Sequence, residues 1–293
     1  MRGDRVILGP MTKCGRIAIA GRPNVGKSSL LNTLVGDRLA MVSPKAQATR
    51  EPVGGLRTEG ETQFIFEDLP GLLDPAYLLQ RRMVGLAVAA IERADVILHL
   101  HPAVEFPAPD LGTLLPSGVI PRQPVVVAYT KADLLKSTPA ATDQLFLSTD
   151  PVRGLERLTA VLAEYLPEGP WQHPGDDLGT QPVRFFVTEY LREAAFQFLE
   201  DEVPYSFAAT VEEFREAADP IYIRATLFVE RESQKRILIG AGGRTIKAIG
   251  RHARLRLEQL LGGRVFLETW VKVVPHWRQS SEVLARLGFP ELS

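Results

Sequence analysis

The sequence predicts an α/β domain, with a mostly parallel sheet covered by helices on both faces, followed by a smaller α+β domain. Short apolar runs alternate with helical stretches through the first half of the chain, which is how a parallel sheet wrapped on both sides reads. From Leu166-Pro-Glu-Gly-Pro-Trp171 to Pro182 the chain turns rich in Pro and Gly and loses its periodicity, which marks a boundary. Beyond it the alternation gives way to a different order of elements. A length of 293 residues also suits two domains better than one.

The elements follow in order. Arg16-Ile-Ala-Ile-Ala20 reads as a strand that enters a glycine-rich turn, and Lys27 to Val35 as the helix after it, with leucines at helical spacing. Further strands are expected at Gln63 to Glu67, Val96 to Leu100, Pro124 to Tyr129 and Gln144 to Leu147, with helices at Ala76 to Arg93 and Gly154 to Leu166. In the second half a helix from Arg184 to Glu200 precedes strands at Ser206 to Phe214 and Ile221 to Glu230. A polar turn, a short strand Ile237-Leu-Ile239, a glycine loop Gly240-Ala-Gly-Gly243, a long helix from Arg244 and a last strand from Arg264 to Val274 complete the reading. The expected division is an N-terminal extension over 1–13, a first domain over 14–170, a linker over 171–183 and a second domain over 184–293.

Composition narrows the class. Apolar residues make up 45% and charged residues 24%, ordinary for a globular protein with a full core. Cys14 is the single cysteine, which rules out a disulfide framework within the chain and a cysteine metal cluster. The first thirteen residues lack the apolar stretch of a secretory signal, and the most apolar region, Val84 to Val104, is broken by Glu92, Arg93 and Asp95. The expectation is a cytoplasmic monomer without a transmembrane segment, with peripheral contact at the inner face of the cell membrane left open. The net charge of −1 hides an asymmetry. Between Arg224 and Arg264 ten Lys/Arg face three Asp/Glu, a local +7, so the rest of the chain carries −8. A basic block in an otherwise acidic chain suits a polyanion; a solvated helix face is the alternative.

Gly21-Arg-Pro-Asn-Val-Gly26-Lys27-Ser28 matches GxxxxGK[ST] and lies between a strand and a helix, as the motif requires. Its glycines let several N–H groups turn inward on phosphates, and the helix N-terminus adds partial positive charge. Lys27 is the expected partner of the β- and γ-phosphates and the Ser28 hydroxyl a Mg²⁺ ligand. Gly21, Asn24, Val25, Gly26 and Ser29 complete the expected nucleotide contacts. Downstream motifs choose the base. Asp68-Leu-Pro-Gly71 ends a strand, with Asp68 a candidate for the Mg²⁺ shell and the Gly71 N–H a γ-phosphate sensor. Thr130-Lys-Ala-Asp133 follows another strand. A carboxylate at Asp133 can accept from guanine N1–H and its 2-amino group, and adenine would leave it unpaired. The Lys131 stem is expected along the base plane, and Ser148-Thr149 beside the guanine O6. Thr49, between the first helix and the next strand, is the candidate switch threonine over Mg²⁺ and the γ-phosphate. Together these predict a GTP-hydrolysing G domain with GTP/GDP and Mg²⁺ as ligands.

The glycine loop of the second domain, in Ile239-Gly-Ala-Gly-Gly-Arg-Thr-Ile246-Lys247, resembles the KH signature, with Gly240-Ala241-Gly242-Gly243 as its GXXG. Such a loop clamps about four nucleotides by their backbone. On the following helix Ile246, Ile249, Ala253, Leu257 and Leu260 share one face, and Arg244, Lys247, Arg251 and Arg254 another. The apolar face is expected on the sheet, and the basic one on phosphates together with Lys235. A dinucleotide fingerprint is the competing reading. It fails because Thr245 stands where the third glycine of GxGxxG belongs and no long βαβ unit follows.

The phosphate loop, Lys45-Ala-Gln-Ala-Thr-Arg50 and Asp68-Leu-Pro-Gly71 resemble the Era family of bacterial GTPases. The similarity continues through Leu166-Pro-Glu168, Leu191-Arg-Glu193, Glu202-Val-Pro-Tyr205, Val229-Glu-Arg-Glu-Ser-Gln-Lys235 and Trp270-Val-Lys-Val273, covering about Cys14 to Phe289. Departures exist. Ala48 stands for the first of two usual switch threonines, Leu69 for a Thr after Asp68, Thr130 for the Asn that opens the guanine motif, Thr149 for an Ala, and His101 where the family often has an acid. The resemblance implies a P-loop G domain followed by a type II KH domain. It also implies the 3′ region of small-subunit ribosomal RNA and the small ribosomal subunit as partners, and a role in small-subunit maturation. Leu72 after Gly71 replaces the water-orienting glutamine of Ras-like proteins, as Era-family members do, so unassisted turnover on the order of 10⁻⁴ to 10⁻² s⁻¹ is expected. In related GTPases with that replacement an asparagine in the phosphate loop binds potassium, which makes Asn24 the candidate K⁺ ligand. Two rivals stay open: a GTP-gated RNA-binding module with little turnover, and an RNA-modifying enzyme that uses GTP as its switch.

Overall fold

The computed structural model describes residues 12–45, 47–136 and 143–291. The chain forms two compact units. One takes in residues up to Asp74 and Val84–Thr180, the other Pro75–Met83 and Gln181 onward. The expected N-terminal extension falls almost wholly outside the described residues.

In the first unit β1 (Lys13–Ala20), α1 (Lys27–Val35), β2 (Val53–Glu59), β3 (Thr62–Asp68), α2 (Leu78–Arg93, its later turns in this unit), β4 (Val96–Pro102), β5 (Val125–Thr130), β6 (Leu145–Phe146), the small hairpin β7 (Ser148–Thr149) and β8 (Val152–Arg153), and α3 (Leu155–Tyr165) follow one another. Six strands make a sheet ordered β2-β3-β1-β4-β5-β6, parallel throughout except for the β2–β3 pair. Because β1 and β4 lie inside it and are covered on both faces, they read as continuous apolar runs: Ile17, Ala18, Ile19, Ala20, Ile97, Leu98 and Leu100 are wholly buried. Leu69 and Leu72 join Ala18, Ala20, Ala87 and Ile91 in one core cluster. Both leucines therefore serve as core residues.

The strand β2 is absent from the sequence reading. Its segment, Val53-Gly-Gly-Leu-Arg-Thr-Glu59, carries two glycines and reads as loop until its antiparallel partner β3 is known. The Pro/Gly-rich segment after Trp171 runs beside it: Leu56 N–H donates to Leu178 O at 2.9 Å and Thr180 N–H to Gly54 O at 3.3 Å. The buried Gln63 secures the same segment, its Oε1 accepting from the N–H groups of Gln172 at 2.9 Å and His173 at 3.0 Å.

In the second unit α4 (Val183–Phe198), α5 (Val203–Ser206), β9 (Ala208–Arg215), β10 (Ile221–Val229), α6 (Glu232–Ile239), α7 (Arg244–Leu261), β11 (Val265–Val273) and α8 (Ser281–Arg286) follow in order. Leaving aside the short α5 and the terminal α8, this is the α-β-β-α-α-β order of a type II KH domain. Its sheet, β11-β10-β9, pairs β10 with β11 in parallel and with β9 antiparallel. Along β10 Ile223, Ala225, Leu227 and Val229 are buried and their neighbours are not, the period of a strand with one covered face.

The structure departs from expectation in α6 and α7. Ile237-Leu-Ile239 is the last turn of helix α6, not a strand. A run of three apolar residues does not distinguish the two; the helix start does. Gln234 turns its Oε1 back to accept from the N–H groups of Glu230 at 3.0 Å and of the N-cap Arg231 at 3.1 Å, the second of them a donor that a helix start leaves orphaned. The second concerns α7. Ile249, Ala253 and Leu257 are fully buried, but Leu260, in the last turn of the helix, is 40% exposed.

Candidate nucleotide site and RNA-binding loop

The nucleotide site grows from the junction of β1 and α1. The loop between them takes left-handed backbone at Asn24 and Gly26, which turns successive amides to one side. Lys27 opens α1 and is buried, its Nζ donating to the carbonyls of Gly21 at 3.3 Å and Arg22 at 2.9 Å. Burial lowers its pKa to about 8, and the nearby Asp68 carboxylate opposes that shift.

Three oxygens converge beside it. Ser28 Oγ donates to Asp68 Oδ2 at 2.6 Å and lies 3.0 Å from Thr49 Oγ1, which itself donates to Asp68 Oδ2 at 3.2 Å. Residues of α1, of the loop before β2 and of the end of β3 thus meet at one point. Two hydroxyls and a carboxylate form a hard, all-oxygen donor set, which fits Mg²⁺. Gly71 lies across the loop from them. A Cβ there would fall 2.8 Å from Pro23 Cα, so only glycine permits this approach of backbone to phosphate loop.

Lys27, Ser28, Thr49 and Gly71 border a cavity of about 440 Å³, whose walls also include Gly26, Ser29 and Lys131. Met41, Pro44 and Gln47 line it too. The sequence reading missed these three, because a loop without periodicity carries no signal of where it folds back. Asn24, the candidate potassium ligand, donates through Nδ2 to Pro44 O of that loop at 3.1 Å.

The guanine motif arrives from the end of β5. Lys131 Nζ donates to Asn24 O at 2.8 Å and Thr130 Oγ1 to Val25 O at 2.6 Å. Asp133 is exposed and its Oδ1 accepts from Ser148 Oγ at 2.9 Å. Ser148 is itself buried and accepts from Asp150 N–H at 3.3 Å. The sequence placed Ser148 beside the base; the structure has its side chain holding Asp133. Thr149 follows it in the hairpin, with its Cα register partner at Val152.

In the second unit the GXXG loop is a tight turn between α6 and α7. A Cβ on Gly240 would lie 2.2 Å from Thr245 Oγ1, so the loop closes only with glycine there. Gly242 has φ 60° and open space around the place of a Cβ, and Ala241 is exposed. A strand of nucleic acid can therefore approach the backbone, at a helix N-terminus whose partial charge favours phosphate. Lys247 and Arg251 are exposed on α7, as is Arg244 at its start; Lys235 on α6 is half-buried. Arg254 bonds Glu258 at 3.2 Å.

Two family models match this division: one described as a 50S ribosome-binding GTPase over residues 16–131, and the KH domain over residues 202–278. Along the whole chain the similarity is to the GTPase Era of Carboxydothermus hydrogenoformans, 36% identical over 293 residues, covering 95% of this chain and 98% of the relative. The chain belongs to the Era family of GTPases. The GTPase Era of Geotalea daltonii is 40% identical over 288 residues, covering 94% and 97% of the two chains. Among solved structures, a single-residue variant of Aquifex aeolicus Era bound to GDP·AlF4⁻ superposes with a TM-score of 0.88 at 35% identity, covering 96% of this chain and all of that one. Era in complex with MgGDPNP and nucleotides 1506–1542 of 16S ribosomal RNA superposes with 0.87, at the same identity and coverage. As an Era-family GTPase the chain converts GTP and water to GDP and phosphate, with GTP, GDP and Mg²⁺ as its ligands. No helix among the described residues is long and apolar enough to cross a membrane.

Proposed function

We propose that this Era-family GTPase is a switch in small-subunit assembly. In this reading its KH domain takes the 3′ region of small-subunit ribosomal RNA and its G domain times release. The observation that carries the reading is one chain holding both a hydroxyl–carboxylate cluster of Ser28, Thr49 and Asp68 at a phosphate loop and an open GXXG turn. A relative solved with both MgGDPNP and 16S ribosomal RNA supports it.

In the reaction the amides of the phosphate loop and Lys27 hold the β- and γ-phosphates, and charge develops on the transferring group against these fixed donors. Ser28, Thr49 and Asp68 would hold Mg²⁺, which supplies positive charge at the phosphate oxygens. The Gly71 N–H, beside Pro23, is placed to sense the γ-phosphate. Leu72 is buried in the core, so its side chain cannot orient water, and the chain's own residues leave water-positioning to the backbone and to partners. Asn24, bonded to the switch loop at Pro44 O, is the proposed K⁺ ligand. Asp133 reads guanine, with Lys131 beside the base plane and Thr149 N–H toward O6. Gly240 to Gly243, Arg244, Lys247, Arg251 and Lys235 contact RNA. The protein works as a cytoplasmic monomer.

The test is single-turnover phosphate release with and without small ribosomal subunits, paired with fluorescence anisotropy on a short RNA matching the 3′ end of small-subunit ribosomal RNA. GTP-dependent RNA affinity and subunit-stimulated release are expected. RNA binding without any turnover would favour a GTP-gated binding module instead.

A further inference from the structure

We propose that the open face of the second unit's sheet is a second RNA site, where unpaired bases stack on Trp270 and on the Tyr222–Phe266 pair. The proposal rests on the reading that the GXXG loop of the same unit holds RNA, and extends that grip to another face of the domain. Along β10 the side chains of Ile223, Ala225, Leu227 and Val229 are buried, so those between them point the other way. Parallel register with β11 sets Tyr222 beside Phe266, Arg224 beside Glu268 and Thr226 beside Trp270 on that outward face. On the other side β9 sets Arg215 beside Tyr222 and Glu213 beside Arg224. Phe266 is 54% exposed and Trp270 61%, which for rings of that size is apolar surface the domain itself leaves uncovered.

The rings are set in place before any ligand arrives. Tyr222 and Phe266 stack with centroids 5.9 Å apart and planes 12° from parallel. The Arg215 guanidinium lies 5.0 Å from the centre of the Tyr222 ring. Glu268 ties the two ring systems together: the Tyr222 hydroxyl donates to one carboxylate oxygen, and Trp270 Nε1 to the other at 3.0 Å. Bonded at its edge, the indole keeps its faces for a partner, and a ring already oriented costs less to order on binding. Phe266 and Trp270 are four residues apart on β11, about 13 Å by the rise of a strand. Stacked bases lie about 3.4 Å apart, so the two platforms take bases that are not neighbours in one stack.

Chemistry and position both favour RNA here. The aliphatic side chains of β10 and β11 fall in register with the core-facing set, and outward the sheet offers rings, guanidinium groups and hydroxyls. Unpaired bases stack on rings and on guanidinium planes alike. The carboxylates between them are engaged: Glu213 pairs with Arg215 and, at 3.2 Å, with Arg224, and Glu268 accepts from Tyr222 and Trp270. Lys272, exposed two residues beyond Trp270, adds a cation. Strand β11 is an edge strand that packs against α6 and α7, and the GXXG turn joins those two helices. An RNA strand leaving the loop reaches the rings by passing that one edge.

The experiment uses the full chain and a single-stranded RNA matching the 3′ end of small-subunit ribosomal RNA, with copies that lack one base at a time but keep every phosphate. In the unaltered protein two groups of positions should matter: about four held by the GXXG loop, and at least one outside them. Trp270→Ala and Phe266→Ala should each weaken the complete RNA about tenfold, in the range of one lost stack, and make the outer position indifferent to its base. Trp270→Phe keeps a ring and should keep the affinity, whereas Trp270→Leu, apolar without a π face, should behave like alanine. Because the groups removed are uncharged, the log–log salt slope should not change. The phenylalanine and leucine variants carry the test alone if an alanine variant does not fold. Unchanged RNA affinity in the alanine variants, full affinity in Trp270→Leu, or no base-sensitive position beyond the GXXG segment would each overturn the proposal. Unchanged RNA affinity with weaker binding to whole small subunits would do so too, and would assign the face to a protein. Full RNA affinity in Ala241→Asp with Gly242→Asp would instead overturn the reading of the loop, while the comparison at Trp270 still decides the sheet.

Discussion

Ser148 Oγ donates to Asp133 Oδ1 across 2.9 Å, from a side chain that is buried to one that is exposed. An exposed carboxylate left alone samples several rotamers; this bond selects one before any base arrives, which lowers the ordering cost of binding. Ser148→Ala should weaken GTP and GDP by about 1 kcal/mol, the value of one such hydrogen bond. Asp133→Asn should do more, lowering GTP affinity and favouring xanthosine triphosphate, whose 2-oxo group needs a donor. Competition binding with GTP, ITP and XTP checks both; unchanged GTP preference in Asp133→Asn would mean the base is read elsewhere.

Lys27→Ala should abolish nucleotide binding or turnover while leaving the fold intact. The pH dependence of the unaltered protein gives a second check. Lys27 in the nucleotide-free protein has a pKa of about 8, below its ordinary value of 10.5, mainly through burial. Between those values the unfolded chain binds more protons than the folded one, so Lys27's contribution to stability grows as pH rises through that window. Phosphate oxygens draw the pKa back up, so GTP binding near pH 8, where Lys27 is about half protonated, should take up about half a proton. Calorimetry in buffers of different ionisation heat should detect uptake at pH 8 and far less at pH 6.5.

His99 lies in the middle of β4 with both ring nitrogens buried and lacking a hydrogen-bond partner. Burial pushes its pKa down to about 4; the neighbouring His101 adds to the shift and Asp110 opposes it. The folded state holds the ring neutral while the unfolded chain protonates it near 6.5, so its share of stability is whole above that pH and is lost as pH falls toward 4. His99→Leu should flatten the melting temperature between pH 7 and pH 5, where the unaltered protein declines.

For RNA, Ala241→Asp with Gly242→Asp should abolish binding and leave basal GTP hydrolysis near normal, since acids would stand where the phosphates approach. Neutralising about four phosphates predicts a log–log salt slope near −3 for a single strand. Charge reversal of Lys247 or Arg251 should flatten it by about one unit each. Fluorescence anisotropy across a salt series is the measurement; full affinity in the double variant would remove the GXXG loop from RNA recognition.

If Asn24 holds a potassium ion, hydrolysis should run faster in potassium than in sodium buffer, and Asn24→Ala should erase the difference. Equal rates in the two buffers would reject the ion.

Local pattern determined most of the elements and the motifs that build the nucleotide site. The limits of α1 follow from leucine spacing after the phosphate loop, and β4 and β5 from apolar runs too short for helices. What periodicity could not supply were elements defined by partners distant in sequence, and the loop residues Met41, Pro44 and Gln47 that fold back over the cavity. Val53 to Glu59 is a strand only because β3 pairs with it. Ile237 to Ile239 close a helix whose start Gln234 caps, a local bond that a run of three apolar residues does not reveal. The same holds in the site. The sequence named Asp68, Thr130 and Ser148 as ligands of nucleotide or metal, since a motif records residue type and spacing. Which hydroxyl faces which acceptor is decided by how β1, β4 and β5 bring their ends together. That is why the tertiary structure alone turned Thr130 toward Val25 and Ser148 toward Asp133, over sequence separations of 105 and 15 residues.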